Sequence, residues 1–159
     1  MVKLDEIDIK ILNIVQGDGR ITNAKLASLI GISPPAMLER VKRLESSGVI
    51  SKFVGLVDRI KVGINVMAFV SVSLSVYQLS SLDSFKQQIM DLDEVLECYQ
   101  ISGEEDFLLK VVLPGIDVFS DFLVNKLTGI PGIRNIKSTF VLSTVKCNTG
   151  FQIKVNHTT

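Results

Sequence analysis

Leu26-Ala27-Ser28-Leu29-Ile30-Gly31-Ile32-Ser33-Pro34-Pro35-Ala36-Met37-Leu38-Glu39-Arg40-Val41-Lys42-Arg43-Leu44 decides the fold of the first third of this 159-residue chain. An apolar helix stops at a glycine, a three-residue corner follows, and a second helix starts at Ser33-Pro34 and carries Arg40, Lys42 and Arg43 in its later turns. Ser33 is placed to accept a backbone N–H of the first turn, and Pro34 occupies the first helical position, where its missing donor costs nothing. Met37, Val41 and Leu44, spaced i, i+4 and i+7, predict one apolar stripe that packs on the helix before it. At about 100° per residue the outward face then holds Pro35, Leu38, Glu39, Lys42 and Arg43, with Arg40 on its flank and Ser33 at its tip. Ser46, Ser47 and Gly48 close the helix, Gly48 supplying a left-handed stop. Arg and Lys outside an amphipathic helix also fit a plain solvated surface. The capped corner distinguishes this case, because two helices so joined cross at about 90–120° and present the second to a major groove. Double-stranded DNA is the partner this implies, with Ser33, Pro34, Pro35, Leu38, Glu39, Arg40, Lys42 and Arg43 as the candidate contacts.

The rest of the first module fits a small three-helix bundle. Asp5 is a candidate N-cap, Leu4, Ile7, Ile11 and Val15 share a helical face, and that helix ends before Gly17-Asp18-Gly19. A second helix spans 22–30. Below about 60 residues such a core is marginal by itself, so the module is expected to lean on something else. Val49 to Asp58, rich in Val, Ile and Phe, reads either as a strand that pairs with its counterpart in another subunit or as a simple linker strand.

From Lys61 the pattern alternates between strand and helix. Val70, Val72, Leu74 and Val76 alternate with Ser71, Ser73 and Ser75 inside the uncharged stretch Val62 to Leu82. That period of two predicts a half-buried strand over 65–76 and argues against a membrane span. A helix over 81–90 buries Leu82, Phe85 and Ile89, strands follow at 95–101 and 107–113, a helix over 117–127 buries Phe119, Phe122, Leu123 and Leu127, and a last strand covers 133–145. The order βαββαβ is that of a ferredoxin-like sheet with both helices on one face. Asp91-Leu92-Asp93-Glu94-Val95 and Gly129-Ile130-Pro131-Gly132-Ile133 form a weak internal repeat that supports it. Self-association is expected to cover the helix-free face. The fold class expected is therefore α+β: a helix-turn-helix module at 1–50, a strand linker at 51–60, a ferredoxin-like module at 61–147 and a C-terminal tail at 148–159.

Charge bounds the function. Lys and Arg number 17, as do Asp and Glu, so formal net charge is zero; 47% of the residues are hydrophobic, enough for real cores. Residues 1–52 hold eight basic against six acidic side chains, residues 53–159 nine against eleven. So small an excess makes counterion release weak per copy, and several copies acting together are expected. Cys98 and Cys147 form no metal-ligand pair, and no secretory signal pattern opens the chain, so a cytoplasmic location, no cofactor and no membrane partner are expected.

These motifs identify a family resemblance. Leu4-Asp5-x-x-Asp8, Ile11-Leu12, Gly19-Arg20, Leu26-Ala27, Gly31-Ile32-Ser33-Pro34, Arg40-Val41-x-Arg43-Leu44-Glu45, Gly48-Val49-Ile50 and Ser102-Gly103-x-x-Asp106-Phe107 together resemble the Lrp/AsnC (feast/famine) transcription regulators over nearly the whole chain. The resemblance implies a winged-type DNA-binding domain, a strand linker and a ferredoxin-like ligand-sensing domain. It further implies dimers that assemble into rings of four, and amino-acid effectors held between subunits near the loop after the second sensing strand. In that loop, Gly103 permits a tight turn that offers N–H groups to a carboxylate, Asp106 is suited to an ammonium and Ser102 supplies a hydroxyl. Tyr99, Ile101 and, from a neighbour, residues such as Ser138 and Thr139 are candidate walls, suited to leucine, methionine or a similar side chain. Two positions depart from the family: Glu39 stands where relatives often carry a polar or basic residue, and Phe107 replaces the more usual tyrosine.

Other functional classes fit less well. The only histidine is His157, neither cysteine has a recognisable base beside it, and Glu104-Glu105-Asp106 reads as a solvated acidic turn, so catalysis is not expected. Strand 107–113 carries one aromatic and lacks the basic RNA-recognition motif, which argues against RNA. An effector-independent architectural DNA-binding protein is the main alternative.

Overall fold

The computed structural model describes residues 2–75 and 79–154; Val76 and His157, singled out above, lie outside the described residues. The chain divides into two compact units, one of Met1–Leu56 with Val145–Thr159, the other of Val57–Thr144.

The first unit holds α1 (Glu6–Val15), α2 (Asn23–Ile30) and α3 (Pro34–Ser46). Each start follows from its cap. Asp5 accepts from the Asp8 backbone N–H at 2.8 Å while the Asp8 side chain accepts from the Asp5 N–H at 3.1 Å, a reciprocal box. Thr22 and Ser33 accept from Lys25 and Ala36 N–H groups at 3.2 and 3.4 Å. Gly31 at φ 85° ends α2, and Gly48 at φ 73° follows α3, the left-handed conformation that only glycine adopts cheaply. Met37, Val41 and Leu44 are buried as their spacing predicts, against Ile11, Leu12, Val15, Leu26 and Ala27. The expected outside support comes from the far end of the chain, since Ile153 packs on this core. Residues 148–154, expected within a tail, thus form part of a folded unit.

Residues 51–58, expected as a strand, join no ladder among the described residues. A strand requires a partner for its N–H and C=O groups. Phe53, Val54, Leu56 and Val57 along this segment are exposed.

The second unit is the predicted ferredoxin-like arrangement. Strands β1 (Val66–Leu74), β2 (Val95–Gln100), β3 (Phe107–Leu113) and β4 (Ile133–Phe140) form one antiparallel sheet in the order β2-β3-β1-β4. Helix α4 (Leu79–Met90) and α5 (Ile116–Asp121), which continues as a π-helical segment over Phe122–Leu127, supply Phe85, Ile89, Phe119, Phe122 and Leu127 to its core. Those side chains meet Ala68, Val70, Val72 and Leu74 of β1 and Phe107, Leu109, Val111 and Leu113 of β3, so both helices cover one sheet face. Strand β4 ends at Phe140, short of the 145 expected. Phe140 pairs with Ala68, and the Val141 N–H reaches the Met67 carbonyl near the start of β1, where the ladder runs out. Leu142 and Val145, apolar by sequence, are almost fully exposed.

Candidate DNA-reading and effector sites

On α3, Pro35, Leu38, Glu39 and Lys42 are exposed as predicted, and Ser33 and Pro34 sit at the exposed tip. The guanidiniums expected on the DNA face are instead turned toward α1. Arg40 Nη1 donates to Asp5 Oδ2 at 2.7 Å and to Asp8 Oδ1 at 2.8 Å, and Arg43 Nη2 donates to Asp8 Oδ1 and Oδ2 at 2.7 and 2.6 Å. The Asp8 side chain is 1% exposed, which makes its pairing obligatory, because an ion in the interior without partners is expensive. Arg40 and Arg43 therefore lock the orientation of α3 on α1. The sequence carried a signal for this, since Asp8 lies among Ile7, Ile11, Leu12 and Val15 on the inward side of its helix, and a charge there requires a counter-ion. With these two cations engaged, Lys42 is the basic side chain on the outward face of α3 that carries no salt bridge among the described residues.

In the sensing unit, the loop between β2 and β3 is fixed at its base. The Ile101 N–H donates to the Asp106 carbonyl and the Asp106 N–H to the Val72 carbonyl, each at 2.9 Å. Asp106 Oδ2 accepts from the Leu74 N–H at 2.7 Å, which holds the loop to the end of β1. A carboxylate has about four acceptor positions, so this bond leaves capacity for an ammonium. Gly103 sits at φ 140° at the exposed tip, next to the exposed Ser102.

The candidate walls do not converge within one chain. Ser138 pairs with Val70 and so points to the helix-covered face, whereas Thr139 pairs with Phe69 and Tyr99 with Leu108, on the open face. Tyr99 and Thr139 lie on the two edge strands, three strand spacings or on the order of 14 Å apart. Within one chain these two edges do not close around one small molecule. The Tyr99 hydroxyl donates to Glu97 Oε2 at 2.9 Å, and Lys110 Nζ donates to Glu97 Oε1 at 3.0 Å. Met67, Phe69, Leu108 and Val112, half-buried, complete the apolar part of this open face. Phe107 is 1% exposed in the core, so the family departure at this position lies beneath the loop and not on its surface.

Hydrogen-bond donors hold three carboxyls below the usual carboxylate range. For Asp5 the main cause is the Asp8 backbone N–H, helped by Arg40; for Glu94 it is Lys126; for Glu97 it is Lys110, with the Tyr99 hydroxyl. A carboxyl depressed on folding stabilises fully above its unfolded value, about 4, and that contribution is lost as pH falls through the folded value. Urea midpoints are accordingly expected to be level down to about pH 5 and to fall below about pH 4. A midpoint that holds level to about pH 3 would show that these pairs contribute nothing.

Among the described residues no helix is long and apolar enough to cross a membrane, and no group of three or more His, Cys, Asp or Glu side chains is arranged to hold a metal ion. Comparison with known proteins bears on both units. Residues 4–51 match the winged helix-turn-helix DNA-binding family and residues 67–151 the Lrp/AsnC ligand binding domain. The chain is 38% identical over 145 residues to the Bkd operon transcriptional regulator of Pseudomonas aeruginosa, covering 91% of this chain and 95% of that one. It is 34% identical over 151 residues to the leucine-responsive regulatory protein of Escherichia coli, covering 95% and 92%. A crystal structure of a transcriptional regulator from Neisseria meningitidis in complex with L-Met superposes with a TM-score of 0.90 at 32% identity, covering 98% of this chain and 99% of the other. Escherichia coli AsnC gives a TM-score of 0.85 at 28% identity, covering 93% and 98%. Helix caps, sheet order and these matches lead to one assignment: the chain belongs to the Lrp/AsnC family and is a DNA-binding transcriptional regulator with a ligand-binding domain.

Proposed function

We propose that this regulator senses an amino acid with an apolar side chain, of the leucine or methionine kind, and binds DNA as a homodimer that assembles further to an octamer in the cytoplasm. The observation that carries the reading is Asp106, whose carboxylate is fixed by the Leu74 N–H beside a glycine-turned loop and keeps acceptor capacity for an ammonium next to exposed backbone. The names of relatives agree: several are leucine-responsive regulators, and one structural neighbour was solved with L-Met. The separation of Tyr99 from Thr139 supports a pocket completed by a second copy, and the half-buried Met67, Phe69, Leu108 and Val112 give that copy an apolar surface to cover. Ser102 and Ile101 would complete the loop side. Ser33, Pro34, Pro35, Leu38, Glu39 and Lys42 would face the groove, with Glu39 suited to accept from cytosine N4. Effector binding would shift assembly and so the number of α3 pairs that engage one DNA molecule, a coupling of about 1–3 kcal/mol.

Thermal unfolding with each of the twenty amino acids tests the sensing part. Leucine or methionine at a hundredfold excess over its Kd is expected to stabilise the protein by about 2.7 kcal/mol. Asp106→Asn keeps an oxygen for the Leu74 N–H and removes the charge, so it is expected to retain the fold and lose the shift. A shift of full size in that variant would place the ammonium site elsewhere. No shift with any amino acid would favour the effector-independent DNA-binding protein.

A further inference from the structure

The side-chain amides of Asn13, exposed on α1, and of Gln16, the half-buried C-cap of that helix, stand three residues apart and grip an extended piece of the C-terminal segment. Asn13 Nδ2 donates to the Ile153 carbonyl and Asn13 Oδ1 accepts the Ile153 N–H, both at 3.0 Å. Gln16 does the same with Phe151: its Nε2 donates to the carbonyl at 3.0 Å and its Oε1 accepts the N–H at 2.9 Å. The spacing explains the match. Helix residues i and i+3 hold their Cβ atoms about 5–6 Å apart, close to the roughly 6.6 Å between alternate residues of an extended chain, whose N–H and C=O groups point the same way. Each carboxamide presents an acceptor oxygen and a donor NH2 group side by side, so two of them reproduce the edge of a β-ladder on the side of a helix; the Gln16 Nε2 also donates to the Leu12 carbonyl at 3.2 Å. Gly150 lets the chain approach, since a Cβ there would lie 3.0 Å from the Gln16 Cβ. Ile153 then adds its side chain to the helical core.

This clasp changes how the reading unit is connected. The chain leaves the unit after Leu56 and returns to it at Val145, so two covalent crossings join it to the sensing unit. A single crossing, 51–58, would leave the helix-turn-helix free over the reach of a flexible linker. We propose that Asn13 and Gln16 form a docking edge for residues 151–153 and that the docked segment is a second tether, which narrows the range of positions each reading unit samples and raises the effective concentration of the second unit of a pair at its half-site. The inference rests on the paired DNA reading given above.

Three full-length proteins test it: wild type, Asn13→Ala/Gln16→Ala, and a chain with about ten Gly/Ser residues inserted between Thr144 and Val145, which slackens the tether and leaves the docking contacts intact. The DNA probes are a duplex selected by the wild-type protein from random sequence and the same duplex with one half-site scrambled. Both altered chains are expected to bind the single half-site within about twofold of wild type and to lose about three- to tenfold of the advantage of the intact site. Amide exchange of Phe151 and Ile153 is expected to be slow in wild type and in the insertion chain and fast in the double variant. An undiminished advantage for the intact site in the insertion chain overturns the tether, and fast exchange of those two amides in wild type overturns the clasp. If wild type binds intact and scrambled duplexes equally, the paired reading itself fails, while the clasp is still judged by exchange.

Discussion

Replacing Arg40 and Arg43 together by alanine is expected to destabilise the N-terminal unit by about 3–5 kcal/mol, the cost of leaving a buried carboxylate without partners. Asp8 is 1% exposed and receives three of its hydrogen bonds from the two guanidiniums. Its remaining bond, from the Asp5 N–H, cannot balance the charge. Restoring an apolar residue tests the cause: Arg40→Ala/Arg43→Ala/Asp8→Leu removes the stranded charge and is expected to regain most of the loss, as apolar replacements of buried ion pairs commonly do. Urea unfolding of the full chain, followed by amide exchange in α1 and α3, measures both. The triple variant also separates support from reading. If it is stable and still binds DNA, the arginines act as struts; if it is stable and no longer binds, they contact DNA as well. A double variant as stable as wild type would show that the ion pairs do not persist in solution.

The second large effect is expected at Phe107. Its ring is 1% exposed and stacks at 4.6 Å, tilted by 39°, on Phe85 of α4, between the sheet and its helices. Phe107→Ala is expected to cost about 3–5 kcal/mol through lost burial and the cavity left behind. Phe107→Tyr restores the residue more usual in the family. It places a hydroxyl among apolar neighbours and is expected to destabilise by about 1–3 kcal/mol unless that hydroxyl finds a partner. Chemical denaturation measures both variants. A Tyr variant that is more stable and binds an amino acid more tightly would show that the ring edge reaches the effector loop.

The caps and apolar spacings could be read directly from the chain because they are local. Asp5, Thr22, Ser33 and Pro34 act within one helical turn, and Met37-Val41-Leu44 or Val70-Val72-Leu74 report a face through period alone. The end of β4 was not legible in this way. Val141 to Val145 are apolar enough to continue a strand, yet the strand stops at the start of β1, a partner some 70 residues away. The candidate effector walls show the same limit: Ser138 and Thr139 are adjacent in sequence and face opposite sides of the sheet, and Tyr99 reaches neither, a matter of strand order.

Basic residues on α3 show most clearly where the sequence stops. It determined that α3 starts at Ser33, buries Met37, Val41 and Leu44 and turns the rest outward, because cap chemistry and a 3.6-residue period act on neighbours. It also determined two modules and a single open sheet face. Only the tertiary structure decided that Arg40 and Arg43 belong to Asp5 and Asp8 on α1, and that Asn13 and Gln16 belong to residues 151 and 153. The physical reason is that a long charged or amide side chain takes whichever partner the packing brings within about 3 Å, and residues 35 or 140 positions apart meet only once the chain has folded.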